Sequence, residues 1–160
     1  MRSTFNVDEF LQTTIDPEGI VLDTKTSFVP AGEYPLELVG LSPREIEQEG
    51  RQRRLVEALF LVTDPAVKEA MNLDDPRARM TVWLDTEPDG SLAIGKNKNV
   101  QLGRLLTACG FNNGKRWSWG MLMHSQVWGR VELPRDEERS IFSDVVAVGA
   151  RQGDVARKSR

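Results

Sequence analysis

Asn99-Val-Gln-Leu-Gly-Arg-Leu-Leu-Thr-Ala-Cys-Gly110 sets the fold class, because it places one amphipathic helix among strands. Leu102, Leu105, Leu106 and Cys109 recur at i, i+3, i+4 and i+7, the spacing of one helical face. Asn99 suits the start of this helix and Gly110 suits its stop. The pattern predicts a helix over Val100 to Cys109. Upstream, Ala78 to Asp85 alternates with period two: Met80, Val82 and Leu84 on one face, Arg79, Thr81 and Trp83 on the other. Downstream, Ser125 to Leu133 alternates Val127, Val131 and Leu133 with Trp128, Arg130 and Glu132. A further strand, Ser140 to Val148, follows the charged turn Pro134 to Arg139.

Further upstream two more strands are expected. Glu33 to Leu41 alternates Tyr34, Leu36 and Leu38 with Pro35, Glu37 and Val39, and its proline indicates an edge position. Leu55 to Thr63 is almost entirely apolar, as in a strand buried on both faces for part of its length. Between them, Ser42 to Arg54 reads as a hairpin loop with charged extended flanks, ending on Arg51, Arg53 and Arg54. Asp64-Pro65 opens a short helix to about Leu73, with Asp64 as its cap and Pro65 in its first position. The expected class is therefore mostly β with short helices: an OB-fold-like five-stranded barrel with a helix between strands three and four. An α+β sandwich gives a similar string.

The expected organisation is an N-terminal arm over 1–31, an OB-fold-like domain over 32–149 and a disordered basic tail over 150–160. Val7 to Ile15 has the pattern of a short helix in the arm, and Phe5, Phe10 and Phe28 are candidate anchors onto the domain. A mobile arm is the alternative. The 160-residue length suits one domain with a proper core, and 28% charged residues suit a soluble globular chain. No apolar run approaches the ~20 residues of a membrane helix. The start lacks the apolar core of a secretory signal, and one cysteine excludes an internal disulfide, so the cytoplasm is the expected location.

Charge is segregated along the chain. Gly90 to Val131 contains no Asp or Glu but carries Lys96, Lys98, Arg104, Lys115, Arg116 and Arg130, with Trp117, Trp119 and Trp128. The remainder holds fifteen Lys/Arg against all twenty-four Asp/Glu. Cations for phosphates and flat rings for bases are what a single-stranded nucleic acid requires. In OB-folds the ligand face lies on strands two and three, flanked by the loops joining strands one to two and four to five. The candidate contacts are accordingly Trp83 with Arg79, Trp128 with Arg130, and Arg53 and Arg54 at the end of the first loop. Lys96 and Lys98 from the GKNKN loop join them, as do Lys115, Arg116 and Trp117 from the segment after the helix. The competing structural role for the tryptophans is packing beneath the arm or a loop.

Other chemistry has little to build on. One histidine, His124, and one cysteine cannot assemble a His/Cys zinc site, and Cys109 falls on an apolar helix face. Gly90 to Lys96 has GxxxxGK spacing but is followed by Asn97, so the magnesium-ligating hydroxyl of a nucleotide loop is missing. Asp74-Asp75 and Asp85/Glu87/Asp89 could in principle bind magnesium as a small metal-dependent nuclease would, but they fall at a helix end and a turn, where solvated acids are common. No cofactor and no metal is expected.

Three segments carry a family resemblance: Phe28-Val-Pro-Ala-Gly-Glu-Tyr34, Lys98-Asn-Val-Gln-Leu-Gly-Arg104 and Trp128-Gly-Arg-Val131. Over roughly residues 28–148 the chain resembles short phage-encoded single-stranded-DNA-binding proteins with an OB-fold. The resemblance implies sequence-tolerant binding of single-stranded DNA in replication or recombination, with proteins of those processes as further partners. Many such proteins end in an acidic recruiting tail, whereas this sequence ends with Arg151, Arg157, Lys158 and Arg160. A protein-interaction module using the tryptophans as anchors is the other non-catalytic expectation, and homo-oligomerisation is left open.

Overall fold

The computed structural model describes residues 4–155. Five strands, β1 (Gly32–Gln48), β2 (Arg51–Val62), β3 (Arg77–Leu84), β4 (Gln126–Glu132) and β5 (Ser143–Gly149), close in the order β1-β2-β3-β5-β4, with β4 returning to β1. Three helices accompany them: α1 (Val7–Gln12), α2 (Pro65–Met71) and α3 (Val100–Cys109). The sheet is thus mostly antiparallel and OB-fold-like, with α3 between β3 and β4 as the pattern of leucines predicts. Its seam is the β3–β5 junction, a parallel pairing of only Ala78↔Ser143 and Arg79↔Asp144.

Alternation places the core. Leu36, Leu38, Val56, Ala58, Phe60, Val62, Ala78, Met80, Val82, Val127, Val131 and Val145 point inward and are buried. From α3, Leu102, Leu105 and Leu106 join the same cluster. Gly129 takes an inward position on β4 where any side chain would collide with Leu36, so the absence of a Cβ lets β1 and β4 close. Cys109 is half-buried beside this core, and burial pushes its thiol pKa up despite a hydrogen bond with Ser125, as suits an inert thiol.

The structure redraws several expected boundaries. The loop expected over Ser42 to Arg54 is mostly strand: pairing persists to Gln48↔Arg51, leaving a two-residue turn at Glu49-Gly50. Both turn residues have positive φ, 53° and 74°, the geometry of the tightest hairpins, and Gly50 accommodates its share without strain. This ribbon projects beyond the barrel and has no core to cover. Its backbone ladder continues while the apolar alternation that reveals strands disappears.

Pro35 does not mark an edge, because β1 pairs on both sides. The Pro35 carbonyl accepts from Thr63 N, so its missing N–H falls on the β2 side just past the last ladder pair, Leu36↔Val62. Strand five begins at Ser143 rather than Ser140, leaving Ile141 exposed, and Leu133 falls outside β4 and is also exposed. The α2 helix stops at Met71 because Asn72 turns left-handed.

The arm attaches to the barrel at its end rather than through its first aromatic residues. Phe5 and Phe10 pair with each other at 5.0 Å and each remains 60% exposed; no residue of α1 is buried. Val29 is buried instead, and its carbonyl accepts from the Ser143 hydroxyl at 2.7 Å. At the other terminus, residues expected to begin a disordered tail fold back on the barrel. Arg151 pairs with Asp154, Asp154 lies against Gly149, and Val155 is buried. The rest of the expected tail, 156–160, and the first three arm residues lie outside the described residues. Among the described residues no helix is long and apolar enough to cross a membrane.

Candidate nucleic-acid interface

Cross-strand register decides which outward side chains meet. On β2 the inward residues are Val56, Ala58, Phe60 and Val62, so Arg51, Arg53, Leu55, Glu57 and Leu59 face out. Directly opposite residues share a face. The outward surface of β1–β2–β3 is therefore a stack of rows: Gly40/Leu59/Arg79, Ser42/Glu57/Thr81, Arg44/Leu55/Trp83, then Ile46/Arg53 and Gln48/Arg51 on the ribbon. Leu55 is only 5% exposed although it points outward, because its row places Arg44 and Trp83 on either side. The Arg53 guanidinium lies over the Trp83 ring, 4.5 Å from its centroid. Its Nη1 also donates to Gln48 at 3.3 Å. An arginine plane on an indole makes a two-layer platform, since both accept a stacked base.

Arg44, Arg51, Arg53 and Arg79 all lie on this face. Glu57 offsets part of that charge, with Arg44 at 2.8 Å and Arg79 at 3.9 Å. Among the described residues neither Arg51 nor Arg53 pairs with a carboxylate. The ribbon and the loop after β3 enclose an open cleft of about 710 Å³, to which Arg51, Gln52, Arg53 and Lys98 contribute alongside Glu49 and Glu87. Arg53 and Lys98 thus line one cleft, with Trp83 under Arg53, and Arg79 lies on the same face two rows further along β3.

The other candidates sit elsewhere. Arg54 turns to the opposite side of the ribbon, pairs with Glu45 at 2.9 Å and donates to the Gly90 carbonyl at 3.0 Å. It ties the ribbon to the turn after β3. Trp128 also points outward, but Pro35 stands across from it on β1 and Gly149 on β5. Its companion Arg130 is held by Glu33 at 2.8 Å, and Glu37 nearby meets His124 at 2.9 Å. Pro35 is nine residues before Arg44 on β1, roughly 30 Å of strand, so the two tryptophans form no common platform. Trp117 packs against the core edge-on to Trp119 at 5.2 Å. Lys115, Arg116 and Lys96 are exposed in loops.

Two polar residues in the first turn of α3 have a structural task that sequence alone did not reveal. Asn99 occupies the cap position but makes no capping bond; its side chain goes sideways. Oδ1 accepts from Asp85 N, and Nδ2 donates to the carbonyls of Asp85 and Ala93. Gln101 accepts from Trp83 N at 3.1 Å and donates to the Thr81 carbonyl at 2.7 Å. These amides take the place of a neighbouring strand where β3 runs past its short pairing with β5, and so hold the strand that carries Trp83.

Three of the five acids considered for magnesium are separately engaged. Asp75 pairs with Arg77, Asp85 accepts from Asn99 N, and Asp89 accepts from Ser91, whose hydrogen bonds lower its pKa. Among the described residues no group of three or more His, Cys, Asp or Glu converges as a metal site would require. Arg44 and Arg51 lie on this face but are absent from the sequence-based set of candidates. Arg51 follows from alternation once β2 is extended to the turn, whereas Arg44 needs the β1–β2 register. The chain matches no protein-family model, no curated protein and no solved structure.

Proposed function

We propose that this protein binds single-stranded DNA, without strong sequence preference, on the outward face of β1–β2–β3. The observation that carries this reading is the Arg53–Trp83 stack set among Arg44, Arg51 and Arg79. Base stacking on such a platform contributes about 1–3 kcal/mol per base and tolerates any sequence, because every base has a π-face. The arginines supply phosphate contact that salt weakens. The biological role proposed with it is non-enzymatic protection or presentation of single strands in phage replication or recombination, in the host cytoplasm; this setting rests on the family resemblance.

The test is a titration of fluorescently labelled oligo(dT), duplex DNA and RNA of equal length at two salt concentrations. Single strands should bind best, affinity should fall with salt, and tryptophan emission should be quenched. Equal affinity for duplex, or no binding at low salt, rejects the proposal. A second reading, a protein-interaction module, is favoured by the arm, where Phe5, Val7, Phe10, Leu11, Ile15 and Val21 are all exposed. Partner capture without DNA affinity would select it.

A further inference from the structure

Glu57 is the one acid set in the middle of the proposed binding face, in the row between Leu59/Arg79 and Leu55/Trp83. Its side chain is 23% exposed, and one oxygen, Oε1, meets two guanidinium groups: Arg44 Nη1 at 2.8 Å and Arg79 Nη1 at 3.9 Å. The arrangement leaves Arg79 poorly served. Its Nε is buried and has no hydrogen-bond partner, a costly state for a charged donor. A carboxylate oxygen shared by two arginines imitates one oxygen of a phosphate. It lacks the further oxygens with which a phosphate engages two guanidinium groups more fully.

We infer that Glu57 is a built-in stand-in for phosphate, holding Arg44 and Arg79 on the empty face and yielding them when a nucleic-acid backbone arrives. This rests on the single-strand reading of the face. Glu57 then lowers affinity, because the incoming phosphate must displace a charge already present. It also keeps two arginines from adventitious anions.

Glu57→Gln keeps the size and a hydrogen-bond acceptor while removing the charge. Glu57→Thr, a good strand residue matching Thr81 across the ladder, serves if the amide fails to fold. Affinity for oligo(dT) at low salt should rise roughly three- to fivefold, the upper scale of a partly exposed ion pair. The plot of log affinity against log salt should steepen by about 0.7, one more neutralised phosphate on a single strand. Glu69→Gln, exposed on α2 after the end of β2 opposite the ribbon, makes the same change in net charge outside the strand rows of the face and should alter neither. Equal effects from Glu57 and Glu69 would reduce the result to overall charge and overturn the inference. Weaker binding by the Glu57 variants would make Glu57 a positioning residue and overturn it too. Binding by the wild type with no change in the variants removes this inference alone. No binding by any of the proteins removes the single-strand reading with it.

Discussion

Trp83 and Trp128 occupy the same kind of position, outward on a strand with an arginine on the same face, yet their surroundings differ. Trp83 lies in a row with Arg44 and carries Arg53 across its ring. Trp128 lies between Pro35 and Gly149, and its arginine is bound to Glu33, with Glu37 the next outward residue of β1. One tryptophan therefore sits in an excess of cations and the other beside two carboxylates with one arginine between them. Stacking needs a ring, but recruiting a polyanion to that ring needs uncompensated positive charge. Outward alternation supplies the first condition at both sites and the second at only one.

The difference is tested most severely by removing each ring. Trp83→Ala should weaken single-strand binding by about 1–3 kcal/mol and abolish most of the emission quenching. Trp128→Ala should leave affinity and quenching nearly intact. Equal losses in titrations of the two variants would mean that both faces bind and that the charge contrast decides nothing.

A second experiment asks whether the Trp83 face depends on the helix behind it. Asn99→Ala removes three side-chain hydrogen bonds to the 85–93 segment. At about 0.5–1.5 kcal/mol each, the net loss of stability should be about 2 kcal/mol. In a chain of this size that lowers the melting temperature by several degrees. An unchanged melting curve would show that the amide ladder contributes nothing to holding β3.

The smallest effect concerns the two arginines. Arg53→Ala should make the salt dependence of binding shallower by about 0.7, the share of one phosphate contact on a single strand. Arg130→Ala should leave the slope unchanged and cost at most about 1 kcal/mol of stability, as expected of a partly exposed ion pair. A reduced slope in the Arg130 variant would show that DNA takes this arginine from Glu33, and the contrast would fail.

Much of the architecture is written locally. Period-two alternation gave β3 and β4 nearly to the residue, and the leucine spacing gave α3. The polar ribbon was hidden because, beyond the barrel, neither face of a strand is covered and no apolar pattern remains. Asn99 was expected to cap its helix, and the backbone of Asp85, just past β3, and of Ala93 claimed its side chain instead. Within the candidate site, alternation picked out Trp83 and Arg79, and Arg53 came from the charged loop expected before Leu55, but alternation put Trp128 and Arg130 on equal footing with them.

The amino-acid order is sufficient to place most of the strands and the helix before the fourth strand, and to put Trp83 and Trp128 on the strand faces opposite the aliphatic residues. These are consequences of backbone periodicity, which each segment obeys by itself. Which tryptophan has free cations around it is a matter of register between strands far apart in the chain. Arg130 meets a glutamate 97 residues away, and Arg53 reaches Trp83 only because the β1–β2 ribbon continues past the barrel. Charge acts through space rather than along the chain, so its neutralisation is fixed only when the sheet closes.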